Sequence, residues 1–140
     1  MQWLFTKIGL FYAKLLSWFS LDKLYVLSDF LSFILIRIYS YRQTVIDLNL
    51  IHAFKDKRSE ELWFIRDNFY RHFADFIFET VKSISISKDE LKQRIQLHHN
   101  SYAMLKKYEE TGRHIFVVLG HYGNWEWASF VAGIETKLPS

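Results

Sequence analysis

The sequence predicts an α/β protein: an N-terminal helical region leading into the first βαβ unit of a mixed or parallel sheet. Three observations carry this. Residues 1–40 are almost continuously apolar. Residues 59–83 repeat apolar side chains at steps of three and four, the helical period. Beyond about residue 92 the period shortens, and the run "HIFVVL" has the β-branched, unbroken apolarity of a strand covered on both faces. The chain of 140 residues divides accordingly into an apolar hairpin (1–40), a helical region (41–91) and the start of an α/β core (92–140).

Each element has local support. "MQWLFTKIGLFYAKLLSWFS" is apolar, but Lys7 and Lys14 interrupt it, and no small-residue cleavage site follows as in a signal peptide. The two lysines are seven apart and share a helix face. Trp3, Leu4, Leu10, Phe11, Leu15, Trp18 and Phe19 cover most of the rest. This is an amphipathic helix suited to lie in a membrane interface with its lysines snorkelling; tilted or partial insertion is the close competitor, and a core helix of a soluble domain is the plainer alternative. Leu21–Tyr39 reads as a second apolar helix, with Asp22 at its start, Asp29 as its one internal acid and Arg37 at its end. Residues 1–40 are thus expected to form a membrane-associated hairpin.

Tyr41–Phe54 reads as a helix with Val45, Leu48 and Ile51 or His52 turned to the core, and "KDKRS" as its exit. Ser59 is placed as the N-cap of a helix running to about Ser83, with Glu60 and Glu61 in its positive first turn. Leu62, Ile65, Phe69, Phe73, Phe76, Ile77 and Thr80 form the inner stripe. Arg66, Asp67, Arg71 and Lys82 take the other faces, and His72 and Glu79 are read as structural. "SKDE" at Ser87–Glu90 is a capping box. Ile95 and Leu97 alternate with Gln96 and His98, as in a short strand. Ser101–Glu110 is helical, with Gly112 as its left-handed C-terminal stop. His114–Leu119 is the second strand, so strand, helix and strand make a right-handed parallel crossover. Two parallel strands alone are not a stable sheet. The sequence therefore reads as the first part of a larger α/β protein.

Composition narrows the function. The formal charge of +3 is too small to argue for nucleic acid, and no aromatic-basic RNA-reading motif is present. A slight basic excess beside an apolar, aromatic-rich chain suits an anionic membrane surface. There is no cysteine, which excludes a disulfide framework and a thiolate zinc site. His98 and His99 are adjacent and, in a strand, would point to opposite faces, so they are poor joint metal ligands.

The chemistry concentrates in "VVLGHYGNWEWASF" (Val117–Phe130). Gly120 and Gly123 allow a tight turn, and Asn124 is placed to cap a helix from Trp125 to about Ile134. His121 falls in the turn and Glu126 in the first helical turn, where the two side chains can converge. A carboxylate on one imidazole nitrogen fixes the tautomer and leaves the other nitrogen to take a proton from a hydroxyl. No Ser or Cys adjoins His121, which favours direct transfer to the acceptor over an acyl-enzyme. Trp125 and Trp127 read as packing residues, with lining of a substrate groove as the alternative. Arg37, Arg42, Lys55, Lys57 and Arg58 are candidates for lipid phosphates, or simply a solvated face.

"GHYGNWEW" resembles the active-site block of the lipid A biosynthesis (late) acyltransferases, of the lysophospholipid-acyltransferase-like superfamily. "LYVLSDFLSFILIRIYSYR", "NLIHAF", "FYRHFADFIFETVKSISISKDEL" and "GRHIFVVLGHYGNWEW" fall in that family's order. The resemblance implies His121 as general base and Glu126 as its orienting acid. It implies transfer of a fatty acyl group from acyl carrier protein, or coenzyme A, to a hydroxyl of a lipid A precursor. The place would be the cytoplasmic face of the bacterial inner membrane, with no metal or organic cofactor. The family's members are about twice this length, and their later blocks have no counterpart here. The alternative is an inactive, membrane-associated chain that binds lipid or a partner subunit.

Overall fold

Among the described residues, the first helix is buried only towards its C-terminal end. α1 (Gln2–Ser17) is exposed at every residue from Trp3 to Tyr12 and buries only Ser17 near its end. The computed structural model describes residues 2–112, 116, 118 and 120–135. They belong to two compact units, Met1–Lys82 and Ser83–Ser140.

In the first unit, α2 (Leu21–Ile34) continues into a π-helical segment, Leu35–Tyr39. α3 (Gln43–Ala53) and α4 (Ser59–Lys82) follow. α2 buries Leu21, Leu24, Ser28 and Ser32, a stripe at steps of three and four, and Leu35 extends it. The serines let α2 approach α4 closely, and α4 offers Tyr70 and Ala74 to the shared core. The two helices run antiparallel. Ser28 donates to Asp75 Oδ1 at 2.5 Å, Tyr25 to Glu79 Oε1 at 2.8 Å, and Tyr70 to the Tyr41 carbonyl at 2.7 Å. Arg66 of α4 reaches Asp47 of α3 at 3.3 Å.

Lys82 was expected on an outer face. It is buried instead, with Nζ donating to the carbonyls of Ser17 (3.2 Å) and Phe19 (3.1 Å). These lie at the end of α1, where carbonyls lack helical partners and a cation is favoured.

The predicted second helix is not uniform to Tyr39. Its last turn widens to the π form, and the chain then turns through 96° into α3. Ser40 (φ 47°) and Arg42 (φ 49°) are both left-handed without being glycine, a conformation that persists only where packing holds it. Here the rings of Tyr39, Tyr41, Phe73 and Phe69 stack in series, with centroids 6.3, 6.1 and 6.0 Å apart. The Tyr70 hydroxyl pins the Tyr41 carbonyl. α3 is shorter than the expected 41–54, and Val45, Leu48 and Ile51 are exposed rather than turned to the core. α4 starts one residue earlier than a Ser59 cap requires. Arg58 is the N-cap, and Glu61 accepts its backbone N–H at 3.1 Å.

The second unit holds α5 (Lys88–Arg94), α6 (His99–Glu109) and α7 (Trp125–Glu135). The Ser87 hydroxyl accepts the Glu90 N–H at 3.1 Å, as its sequence signature requires. Gly112 has φ 66°, as expected of the left-handed stop after α6.

The expected βαβ unit does not form: among the described residues there is no strand and no sheet. Ile95 has extended backbone, but Ile95–His98 lies in no strand and links α5 to α6. Most of the expected strand His114–Leu119 lies outside the described residues. Phe116 and Val118, which are described, lie in no strand and are each 93% exposed, not covered on both faces. A strand is stabilised by its ladder partners and not by its own residues. Local apolarity at 114–119 announces a segment that wants such partners, and does not supply them.

Candidate active site

The block Gly120–Phe130 is a turn followed by a capped helix. The Tyr122 N–H donates to the Gly120 carbonyl at 2.8 Å, which tightens the chain around His121. Gly123 has φ 59°, where a side chain would be strained. Asn124 then caps α7, its Oδ1 accepting the Trp127 N–H at 2.9 Å. The cap and the turn together put His121 just ahead of the N-terminus of α7 and Glu126 in its first turn, the placement the sequence predicts.

α7 is held by Trp127 and Val131, both buried, on the side that meets α5. The Trp127 indole N–H donates to the Ser83 hydroxyl at 2.8 Å. This packing role for Trp127 matches the sequence reading, although the helix packs on α5 and not on a sheet. Trp125 does something the sequence did not single out. Its ring stands edge-on to the His121 imidazole, with centroids 4.9 Å apart at 84°. Ser129 donates back to the Glu126 carbonyl at 2.7 Å, within α7.

His121 is exposed and Glu126 half-buried. Among the described residues no hydrogen bond joins them; the imidazole leans on Trp125 instead. The turn thus brings His121 and Glu126 to the same helix end without coupling them. An exposed imidazole has room for an incoming hydroxyl, and the first turn of α7 offers a positive helix end to a developing oxyanion.

Among the described residues no group of three or more His, Asp or Glu side chains is arranged to hold a metal. His98 and His99 are not in a strand. His98 is the N-cap of α6, its Nδ1 accepting the Asn100 N–H at 3.4 Å, and His99 is the first helical residue. An open groove of about 270 Å³ is lined by Lys92, Ile95, Gln96, Leu97, Tyr102 and Val131, and His121 is not part of its lining.

No curated protein and no solved structure matches the chain. A family model described as bacterial lipid A biosynthesis acyltransferase matches residues 1–135. That span takes in the apolar helices, the capped turn at His121 and all of α7, and the chain belongs to the bacterial lipid A biosynthesis acyltransferase family.

Proposed function

We propose that the chain serves the transfer of a fatty acyl group from an acyl carrier protein or coenzyme A thioester to a hydroxyl of a lipid A precursor. His121 is the base and Glu126 its orienting partner. The observation that supports this most is the turn at residues 120–126, which presents an exposed imidazole at a helix N-terminus in a family of acyltransferases. In the reaction the free imidazole nitrogen takes the acceptor hydroxyl's proton as that oxygen attacks the thioester carbonyl. The carbon–sulfur bond breaks, and the imidazolium returns the proton to the leaving thiolate. In this reading the Glu126 carboxylate meets the other imidazole nitrogen and orients the ring. The reaction would take place at the cytoplasmic face of the bacterial inner membrane and needs no metal or organic cofactor.

The test is acyl transfer by the full chain from an acyl carrier protein thioester to a lipid A precursor, compared with His121→Ala. The expected loss is about 100-fold or more in kcat/KM. Activity within a few-fold of the parent would remove His121 as base. The uncoupled His121 and Glu126 favour one competing reading, a membrane-associated chain that binds lipid or a partner subunit without turning it over. A folded, lipid-binding chain with no transfer above background would establish that reading instead.

A further inference from the structure

The geometry points to Trp125 as the positioning residue of His121: its indole is a fixed wall that holds the exposed imidazole in one orientation ahead of α7, ready for an acceptor hydroxyl. That use of the ring pair rests on the acyl-transfer reading; the pair itself does not.

The turn gives His121 few other restraints. Gly120 precedes it and Gly123 lies two residues on, and a side-chain carbon added at either glycine would meet no atom within 4 Å. Tyr122, its neighbour, is 93% exposed, and His121 is itself exposed. An imidazole on so open a turn samples several rotamers, and only some of them present a nitrogen at the helix start. Among the described residues its one ring contact is with Trp125, with centroids 4.9 Å apart and planes at 84°. That distance and angle suit an edge-to-face pair, in which the positive rim of one ring meets the negative face of the other.

Trp125 can serve as a wall because its backbone is fixed. It is the first residue of α7 and follows the Asn124 cap, whose Oδ1 accepts the Trp127 N–H at 2.9 Å. Trp127 is buried, and its indole N–H donates to the Ser83 hydroxyl at 2.8 Å. Val131 is buried a further turn along. The cap is supplied by Asn124 and the anchor by Trp127. What Trp125 adds ahead of them is a flat, half-buried ring against His121.

The step this serves is proton transfer. A base is effective only where its nitrogen lies within hydrogen-bond reach of the hydroxyl. An orientation set before the substrate arrives removes rotational freedom from the barrier. Successive residues of α7 lie about 100° apart around its axis. The first turn therefore gives the imidazole two neighbours of different kinds, an aromatic wall at Trp125 and a carboxylate at Glu126. Loss of the wall should fall on the chemical step and leave substrate binding nearly as it was.

The experiment records the histidine ring-proton NMR signals of the full chain, with those of His121 identified by their absence from His121→Ala. In the parent the indole ring current should displace them from the position of a solvent-exposed histidine. In Trp125→Leu they should return to that position, while an unmoved Trp127 indole N–H signal shows that α7 is still packed. Trp125→Phe should keep part of the displacement. In acyl-transfer assays Trp125→Leu should lower kcat about ten-fold, with KM changed by less than about two-fold. Trp125→Phe, which retains an edge-to-face partner, should stay within about three-fold of the parent. His121 signals at the exposed position in the parent overturn the pairing. A kcat equal in the parent and Trp125→Leu, or equal losses in the Leu and Phe variants, overturns the positioning role and leaves Trp125 as a packing residue. A parent that shows the displaced signals but transfers nothing overturns the acyl-transfer reading, and with it the use of the pair, while the pair itself stands.

Discussion

Tyr70 shows how one buried hydroxyl sets a pH limit. It is almost fully enclosed, and its phenol must stay neutral to donate to the Tyr41 carbonyl. Burial pushes it above its ordinary value of 10.0; the Asp47 and Asp67 carboxylates add to the rise, and Arg66 opposes it. The folded chain therefore holds this proton more tightly than the unfolded chain does. The stability it contributes is whole below about pH 10 and is lost as pH rises through the folded value. Thermal unfolding followed by circular dichroism should show a midpoint that falls above about pH 10. In Tyr70→Phe that alkaline fall should be shallower, and stability at neutral pH should drop by about 1–3 kcal/mol because the Tyr41 carbonyl loses its donor. An unchanged alkaline slope would show that Tyr70 is not the group responsible. Lys82 is a second buried donor. Lys82→Met keeps the volume but removes the donor from the Ser17 and Phe19 carbonyls, at a cost of about 1–3 kcal/mol read from the same melts.

At the scale of elements, what the sequence announces and what forms part company according to range. The Ser87 capping box, the Gly112 stop and the Asn124 cap all appear as expected, because each is decided within three or four residues. The block around His121 is legible for the same reason, being one continuous stretch. The Trp127–Ser83 contact joins residues 44 apart and left no local signal. The strands expected at 95–98 and 114–119 needed partners that local apolarity cannot provide, and the described part of them lies in no strand. The exposed stripe of α3 failed for a related reason: periodicity says that Val45, Leu48 and Ile51 share a face, and says nothing of what covers it. The Asn124 cap carries its own prediction. Asn124→Ala should cost about 1 kcal/mol of stability, while Asn124→Asp should keep the bond to the Trp127 N–H and the stability. If transfer activity depends on where the start of α7 places Glu126, Ala should also lower kcat and Asp should restore it. Equal stability and equal activity in both variants would mean the cap does not position the site.

At the scale of the molecule, the first unit distributes its apolar side chains over two faces of one helix, and the two have opposite thermodynamic meanings. Leu24 is fully buried between α2 and α4, whereas Phe30, six residues on, faces outwards. In a protein that hid both faces from water internally, truncating either side chain would open a cavity. Leu24→Ala does so and should cost about 2–5 kcal/mol. Phe30→Ala opens none, so its cost in detergent-free buffer should stay within about 0.5 kcal/mol, the usual range for surface changes. The order should reverse for lipid. Phe30→Ala removes apolar area from the outward stripe and, where that stripe meets lipid, should weaken vesicle binding several-fold. Leu24→Ala, measured at a temperature where it is still folded, should bind as the parent does. Chemical unfolding and vesicle co-sedimentation on the same two variants separate these outcomes. If Phe30→Ala destabilises the chain as much as Leu24→Ala, the outer stripe belongs to an internal interface and not to a bilayer.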